Sequence, residues 1–107
     1  MLTFWSVNPD RIFDALASGP RRQMLRELSQ AERTTSELAA RFALSAPAVS
    51  RHLSVLENAG LVASRRDGQR VLYGLVRDTL MEALSGFAAE LATGADPMPP
   101  RRRREAI

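Results

Sequence analysis

"SAPAVSRHLSVLENAGLVASRRDGQRVLYGL", Ser45 to Leu75, contains the change of period that decides the fold. In its first half Val49, Leu53 and Leu56 recur at helical spacing and fall within about 60° of one another on the wheel. Ser45 is a ready N-cap, Pro47 lies in the first turn, and Asn58-Ala59-Gly60 supplies the stop. Pro47, Arg51, Ser54 and Asn58 then point away from the apolar stripe. In the second half the period falls to two. "LVASRR" (61–66) and "RVLYGLV" (70–76) flank Asp67-Gly68-Gln69, a turn between two strands, with Val71, Tyr73 and Leu75 expected on one face.

Upstream, the punctuation predicts three further helices. Asn8-Pro9 reads as an N-cap and first helical position, Ile12, Phe13, Leu16 and Ala17 as a stripe, and Gly19 as the stop. Pro20 opens a second helix with Met24, Leu25 and Leu28 on one face. "TTSE" (34–37) is a capping box for a short third helix whose buried face is Leu38, Ala39 and Phe42, and "RFALSA" breaks it. Downstream, "DTLMEALSGFAAELATG" (78–94) is expected to be capped by Asp78. Its Leu80, Leu84, Phe87 and Leu91 form a narrow seam suited to another helix.

The fold class is therefore mainly α with a β-hairpin: a winged helix-turn-helix in the order α-α-α-α-β-β-α. Residues 1–93 are expected to form one domain, and 94–107 a disordered tail with three prolines and the run Arg101–Arg104. That run reads first as a solubilising end, and second as an added attraction for phosphate.

Composition narrows the function. The chain has 107 residues, a size at which a single core gives modest stability and a partner subunit helps. It has no cysteine and one histidine, which removes disulfides, thiolate metal sites and a multi-histidine zinc site within one chain. No apolar run is long enough to span a bilayer. The opening "MLTFWSVNPD" lacks a basic leader and a cleavage site, so a cytoplasmic location is expected. All 15 basic residues are arginine, and they are segregated. Residues 1–40 are neutral, 41–70 carry +3, 71–100 carry −3, and 101–107 carry +3. A basic middle suits a polyanion partner.

In the predicted arrangement Ser45 to His52 is the front of a recognition helix, which enters the DNA major groove. Ala46, Pro47 and Ala48 allow close approach. Ser45, Ser50 and Ser54 can bond phosphates or base edges, and Arg51 can reach a guanine or a phosphate. Arg65, Arg66, Gln69 and Arg70 form the wing, and Thr35 and Ser36 open the preceding helix toward the same backbone. His52 lies at the edge of the core stripe; it reads first as a half-buried structural histidine and second as a DNA contact. No catalytic arrangement can be assembled: Ser50 and His52, two apart on a helix, do not face each other. The chain is expected not to be an enzyme and to need no cofactor.

With "RIFDALASGPRRQMLRELS" upstream, the pattern "VSRHL", "L..AGLV", two arginines, Gly and "Y.L" resembles the ArsR-type (arsenical-resistance repressor) regulators over about residues 8–93. The resemblance implies a homodimeric repressor, often of its own gene, on an inverted-repeat operator that it leaves when an inducer binds. It also implies dimerisation through the N- and C-terminal helices, by Trp5, Ile12, Phe13, Leu80, Leu84, Phe87 and Leu91. The family's metal-sensing members carry cysteines where this chain has "TTSEL", or histidines on the last helix, where it has none. The inducer, if there is one, is then an organic molecule or a protein. The competing reading is a winged-helix module that docks protein and has abandoned DNA; the cluster of Arg51, Arg65, Arg66 and Arg70 argues for DNA.

Overall fold

The computed structural model describes residues 8–94 and Met98. Among these it shows α1 (Pro9–Leu16), α2 (Gly19–Leu28), α3 (Thr35–Phe42), α4 (Ala46–Asn58), β1 (Val62–Asp67), β2 (Arg70–Leu75) and α5 (Arg77–Ala92). Trp5 and the Arg101–Arg104 run lie outside the described residues.

Local chemistry accounts for most boundaries. Asn8 Oδ1 accepts from the amides of Asp10 and Arg11. The capping box is complete: Thr34 Oγ1 accepts from the Glu37 amide at 3.1 Å, and Glu37 Oε1 accepts from the Thr34 amide at 2.8 Å. The end of α4 is a Schellman motif, with Gly60 at φ +80° and the Leu61 amide bonded to the Leu56 carbonyl at 2.9 Å.

Two boundaries depart from the sequence reading. Gly19 does not stop α1; it is the first residue of α2, capped by Ser18. Arginine side chains from α2 take over the stop. Arg21 Nε donates to the Ala15 carbonyl at 2.8 Å, its Nη2 to the Asp14 carbonyl at 3.2 Å, and Arg22 Nη1 to the Leu16 carbonyl at 2.7 Å. They satisfy carbonyls that a glycine turn would otherwise serve, and their charge suits the negative end of the helix dipole. Because α1 ends at Leu16, Ala17 leaves the helical phase and is exposed, while Ala15 joins Ile12 in the core. Asp78 likewise does not cap α5. The helix starts at Arg77, because the Val76 amide is held by the Leu61 carbonyl at 2.8 Å, and Asp78 stands in the first turn.

The core draws on every helix but the last: Ile12 and Ala15, Met24, Leu25 and Leu28, Leu38, and the α4 stripe Val49, Leu53 and Leu56, closed by Ala59, Leu61 and Val62. Ile12 is wholly enclosed there and cannot face a partner subunit.

β1 and β2 pair antiparallel, with Asp67 opposite Arg70 and Arg65 opposite Leu72. The turn is Gly68-Gln69, with Gly68 at φ +67°. A contact invisible in the local pattern anchors the hairpin. Arg33, in the loop between α2 and α3, forms a bridge with Tyr73 through two backbone bonds, of 3.0 and 2.8 Å. Of the face assigned to β2, Tyr73 and Leu75 pack on the core, but Val71 is exposed because the hairpin tip projects beyond it. Leu72, on the opposite face, is buried.

Candidate nucleic-acid interface

The turn between α3 and α4 determines what α4 can present. Ala43 takes the left-handed conformation at φ 54°, and Leu44 tucks against the core. α4 is then capped by Ser45, whose Oγ accepts from the Ala48 amide at 3.2 Å. Its stripe Val49, Leu53 and Leu56 is sunk in the core, which fixes the rotation of the helix. Ala46, Pro47, Ser50, Arg51 and Ser54 are exposed on the outer side, and Ala48 is half-buried. The outer face, about 20 Å long, is therefore small and polar around one arginine. Arg51 has no carboxylate partner among the described residues.

His52 is placed differently from its neighbour. It is half-buried, with Nδ1 3.5 Å from Arg21 Nη1, a contact in which the guanidinium can only donate and the neutral ring accepts. Burial, then the charges of Arg21 and Arg51, hold its pKa below the usual histidine value. Arg21 thus bridges the end of α1 and the recognition helix. His52 belongs to that bridge and not to the outer row with Arg51.

The wing arginines are not equivalent, although they are adjacent in sequence. Cross-strand pairs share a face, so Arg66 and Val71 lie on the side that carries Ser64, Tyr73 and Leu75 nearer the base. Arg65 lies on the other. It is held by Glu32 through a two-pronged ion pair, Nη2 to Oε1 at 2.6 Å and Nε to Oε1 at 3.0 Å. That pairing lowers the Glu32 pKa and raises that of Arg65. A side chain at Gly74 would meet the Glu32 Cγ at 3.3 Å, so glycine there gives the clamp its room. Arg70 approaches Asp67 at 3.9 Å. Arg66 has no ion pair among the described residues.

The wing and the start of α3 meet across one shallow cleft, lined by Thr34, Thr35 and Ser36 on one side and by Gln69, Arg70 and Val71 from the hairpin on the other. Glu37, in the first turn of α3, has a lowered pKa. Its bond from the Thr34 amide lowers its pKa most, with Arg70 and Arg33 adding to the effect. The sequence reading missed the internal ties: Glu32 to Arg65, Arg21 to His52, and Glu27 to Arg33 and Arg41 at 2.8 and 3.1 Å. Each joins residues six or more positions apart, beyond the reach of helical or strand periodicity.

On the far side of the domain α5 has no fully buried residue. Leu80 and Ala83 touch the core, while Met81, Leu84, Phe87 and Leu91 are 49, 41, 48 and 68% exposed. Phe87 meets Phe13 edge-on at 5.5 Å. Met81 had not been singled out by the a/d pattern. Among the described residues no three acids or histidines gather as a metal site, and no helix is long and apolar enough to cross a membrane.

Comparison with known proteins matches this arrangement. The family model described as "bacterial regulatory protein, arsR family" matches residues 18–64. The HTH-type transcriptional regulator Rv2034 of Mycobacterium tuberculosis is 44% identical over 68 residues, 64% of this chain and 64% of that protein, so the matched part is just under two thirds of that relative. A "probable mercury resistance operon repressor" of Streptomyces lividans is 38% identical over 97 residues, covering 84% of this chain and 77% of the relative. The solution structure of a homodimeric winged helix-turn-helix DNA-binding domain from Mycobacterium bovis superposes with a TM-score of 0.65 at 31% identity, covering 83% of this chain and 84% of that one. The family segment begins at the Ser18 cap of α2 and ends in β1, so it carries the whole helix-turn-helix; with relatives aligned over most of their length, the chain belongs to the ArsR family of bacterial regulatory proteins.

Proposed function

We propose that this DNA-binding transcriptional regulator is a homodimeric repressor that reads an inverted-repeat operator with α4 and steadies itself on the backbone with the wing. One observation carries the reading: α4 presents an outer face of Ala46, Pro47, Ser50, Arg51 and Ser54, with Arg51 unpaired among the described residues, and the helix before it opens on a cleft shared with the wing. Arg51 is the base reader, Ser50 and Ser54 bond base edges or phosphate, and Thr35, Ser36, Gln69, Arg66 and Arg70 contact the backbone. Arg65 serves the wing's position through Glu32. Dimerisation through Leu84, Phe87, Leu91 and Met81, with Phe13 beside them, sets two α4 helices about 34 Å apart, one turn of B-DNA. The homodimeric state of the M. bovis domain supports this. The described domain leaves little surface for recruiting polymerase, which supports repression.

A mercury inducer, as the name of the S. lividans relative suggests for that protein, does not fit this chain, because it has no thiolate to offer a soft metal. The test of the proposal is fluorescence anisotropy on the DNA upstream of the gene against scrambled DNA, over a salt series. Preference for the upstream fragment with a negative salt slope is expected. Arg51→Ala is expected to cost about 1–3 kcal/mol on the operator and to relax preference at one base position. An equal loss on every sequence would make Arg51 a phosphate contact. Weak binding, equal on both DNAs, would favour a protein-docking module.

A further inference from the structure

A groove of about 400 Å³ opens between α2 and α5, away from the recognition helix. Its floor is apolar, from Leu16, Leu25, Leu75, Leu80, Met81 and Leu84, and its rim carries Arg22, Arg26 and Arg77. The size falls within the roughly 300–1,000 Å³ of small-molecule sites. Arg22 and Arg26 are four residues apart and so lie on one side of α2. None of the three rim arginines has a carboxylate partner among the described residues. Arg77 is the first residue of α5, where the helix dipole disfavours a cation. An anion held in the groove would offset that.

We infer that this groove binds a small organic anion, a carboxylate on an apolar body, as the effector of the DNA-binding activity proposed above. The apolar body lies on the leucines and the carboxylate meets the guanidinium rim, which donates paired hydrogen bonds to it. Charge complementarity selects this occupant over the chain's own ends. Residues 1–7 carry no acidic side chain, and the tail carries four consecutive arginines that the rim would repel. The site also has a route to DNA. Leu84 and Met81 belong to both the groove and the exposed seam of α5, and Leu25 belongs to the core on which α4 rests. An occupant wedged between α2 and α5 therefore changes the angle between the dimer helix and the recognition helix. The spacing of the two recognition helices follows that angle.

The experiment is a methyl-resonance titration of the full chain with octanoate, in the absence of DNA, with octanol as the uncharged control. Saturable shifts at Leu25, Leu80 and Leu84 are expected, about tenfold tighter for octanoate than for octanol, and the Arg26→Gln/Arg77→Gln double variant should remove that preference. Both arginines are exposed, so the variant is expected to fold and to keep wild-type affinity for the operator without ligand. Octanol binding as tightly as octanoate, or no shift in the groove leucines, would overturn the anion site. So would intermolecular contacts showing the groove filled by a second copy. A separate operator titration with and without octanoate reads the regulatory role. Octanoate that binds without altering operator affinity would leave the site and remove its role as effector, and failure of DNA binding itself would appear in the ligand-free arm.

Discussion

Replacing Leu84 with glutamate tests the interface most directly. Leu84 is 41% exposed, so its outer part contributes nothing to the protomer's core and the substitution should leave the fold intact. Full burial of a leucine side chain stabilises by about 1.5–3 kcal/mol, so covering this exposed share yields roughly 0.6–1.2 kcal/mol per protomer. Two-fold symmetry doubles it to roughly 1–2.5 kcal/mol. The glutamates add the larger effect. Two carboxylates brought together in one apolar seam must be desolvated and repel each other, at a cost of several kcal/mol. Together the losses exceed about 4 kcal/mol, close to a thousandfold weaker dimer at about 1.4 kcal/mol per tenfold. Sedimentation velocity at micromolar concentration should show wild type as a dimer and Leu84→Glu as a monomer with unchanged helical circular dichroism. The monomer should bind a half-site weakly and lose preference for the full operator. A variant that sediments as a dimer would refute the assignment of this face.

Other perturbations probe the ties inside the protomer. Glu32→Gln frees Arg65 from its clamp, so the wing amides should exchange faster with solvent, and the salt slope for DNA should steepen by about 0.9 if the released guanidinium reaches a phosphate. An unchanged exchange rate would show that the Arg33–Tyr73 bridge holds the wing alone. Ala43 stands at φ 54°, where an L side chain is strained, so Ala43→Gly should raise unfolding stability by about 1 kcal/mol in urea; a loss would mean that the turn relaxes without glycine. The folded protein binds the His52 proton less readily than the unfolded chain, whose histidine titrates near 6.5. Stability is therefore full above that pH and falls as pH drops through the lowered folded value. Between about pH 7.5 and pH 5 wild type should lose more stability than His52→Gln, and parallel losses would show that carboxylates alone carry the acid sensitivity.

The helix-turn-helix is legible in the residues alone, because its signals are local. A capping box spans four residues, the α4 stripe repeats within two turns, and Gly60 and Gly68 each meet a backbone demand at their own position. Part of the α5 seam was also legible, since three-and-four spacing aligns Leu84, Phe87 and Leu91, which are exposed, while Leu80 from the same row packs on the core. Which side chains are free to act depends on contacts made across the fold. Arg65 and Arg66 are adjacent and identical, yet strand alternation sends them to opposite faces and only Arg65 finds Glu32, thirty-three positions away. His52 and Arg51 are adjacent too, but His52 is half-buried against Arg21 while Arg51 is exposed. Ile12 and Phe13 share the start of one stripe, and the packing of α1 against its neighbours encloses the first while the second meets α5. Periodicity reports which way a side chain leaves its own element, but the charge or apolar surface waiting there is supplied by another part of the chain. That pairing is fixed only when the core closes.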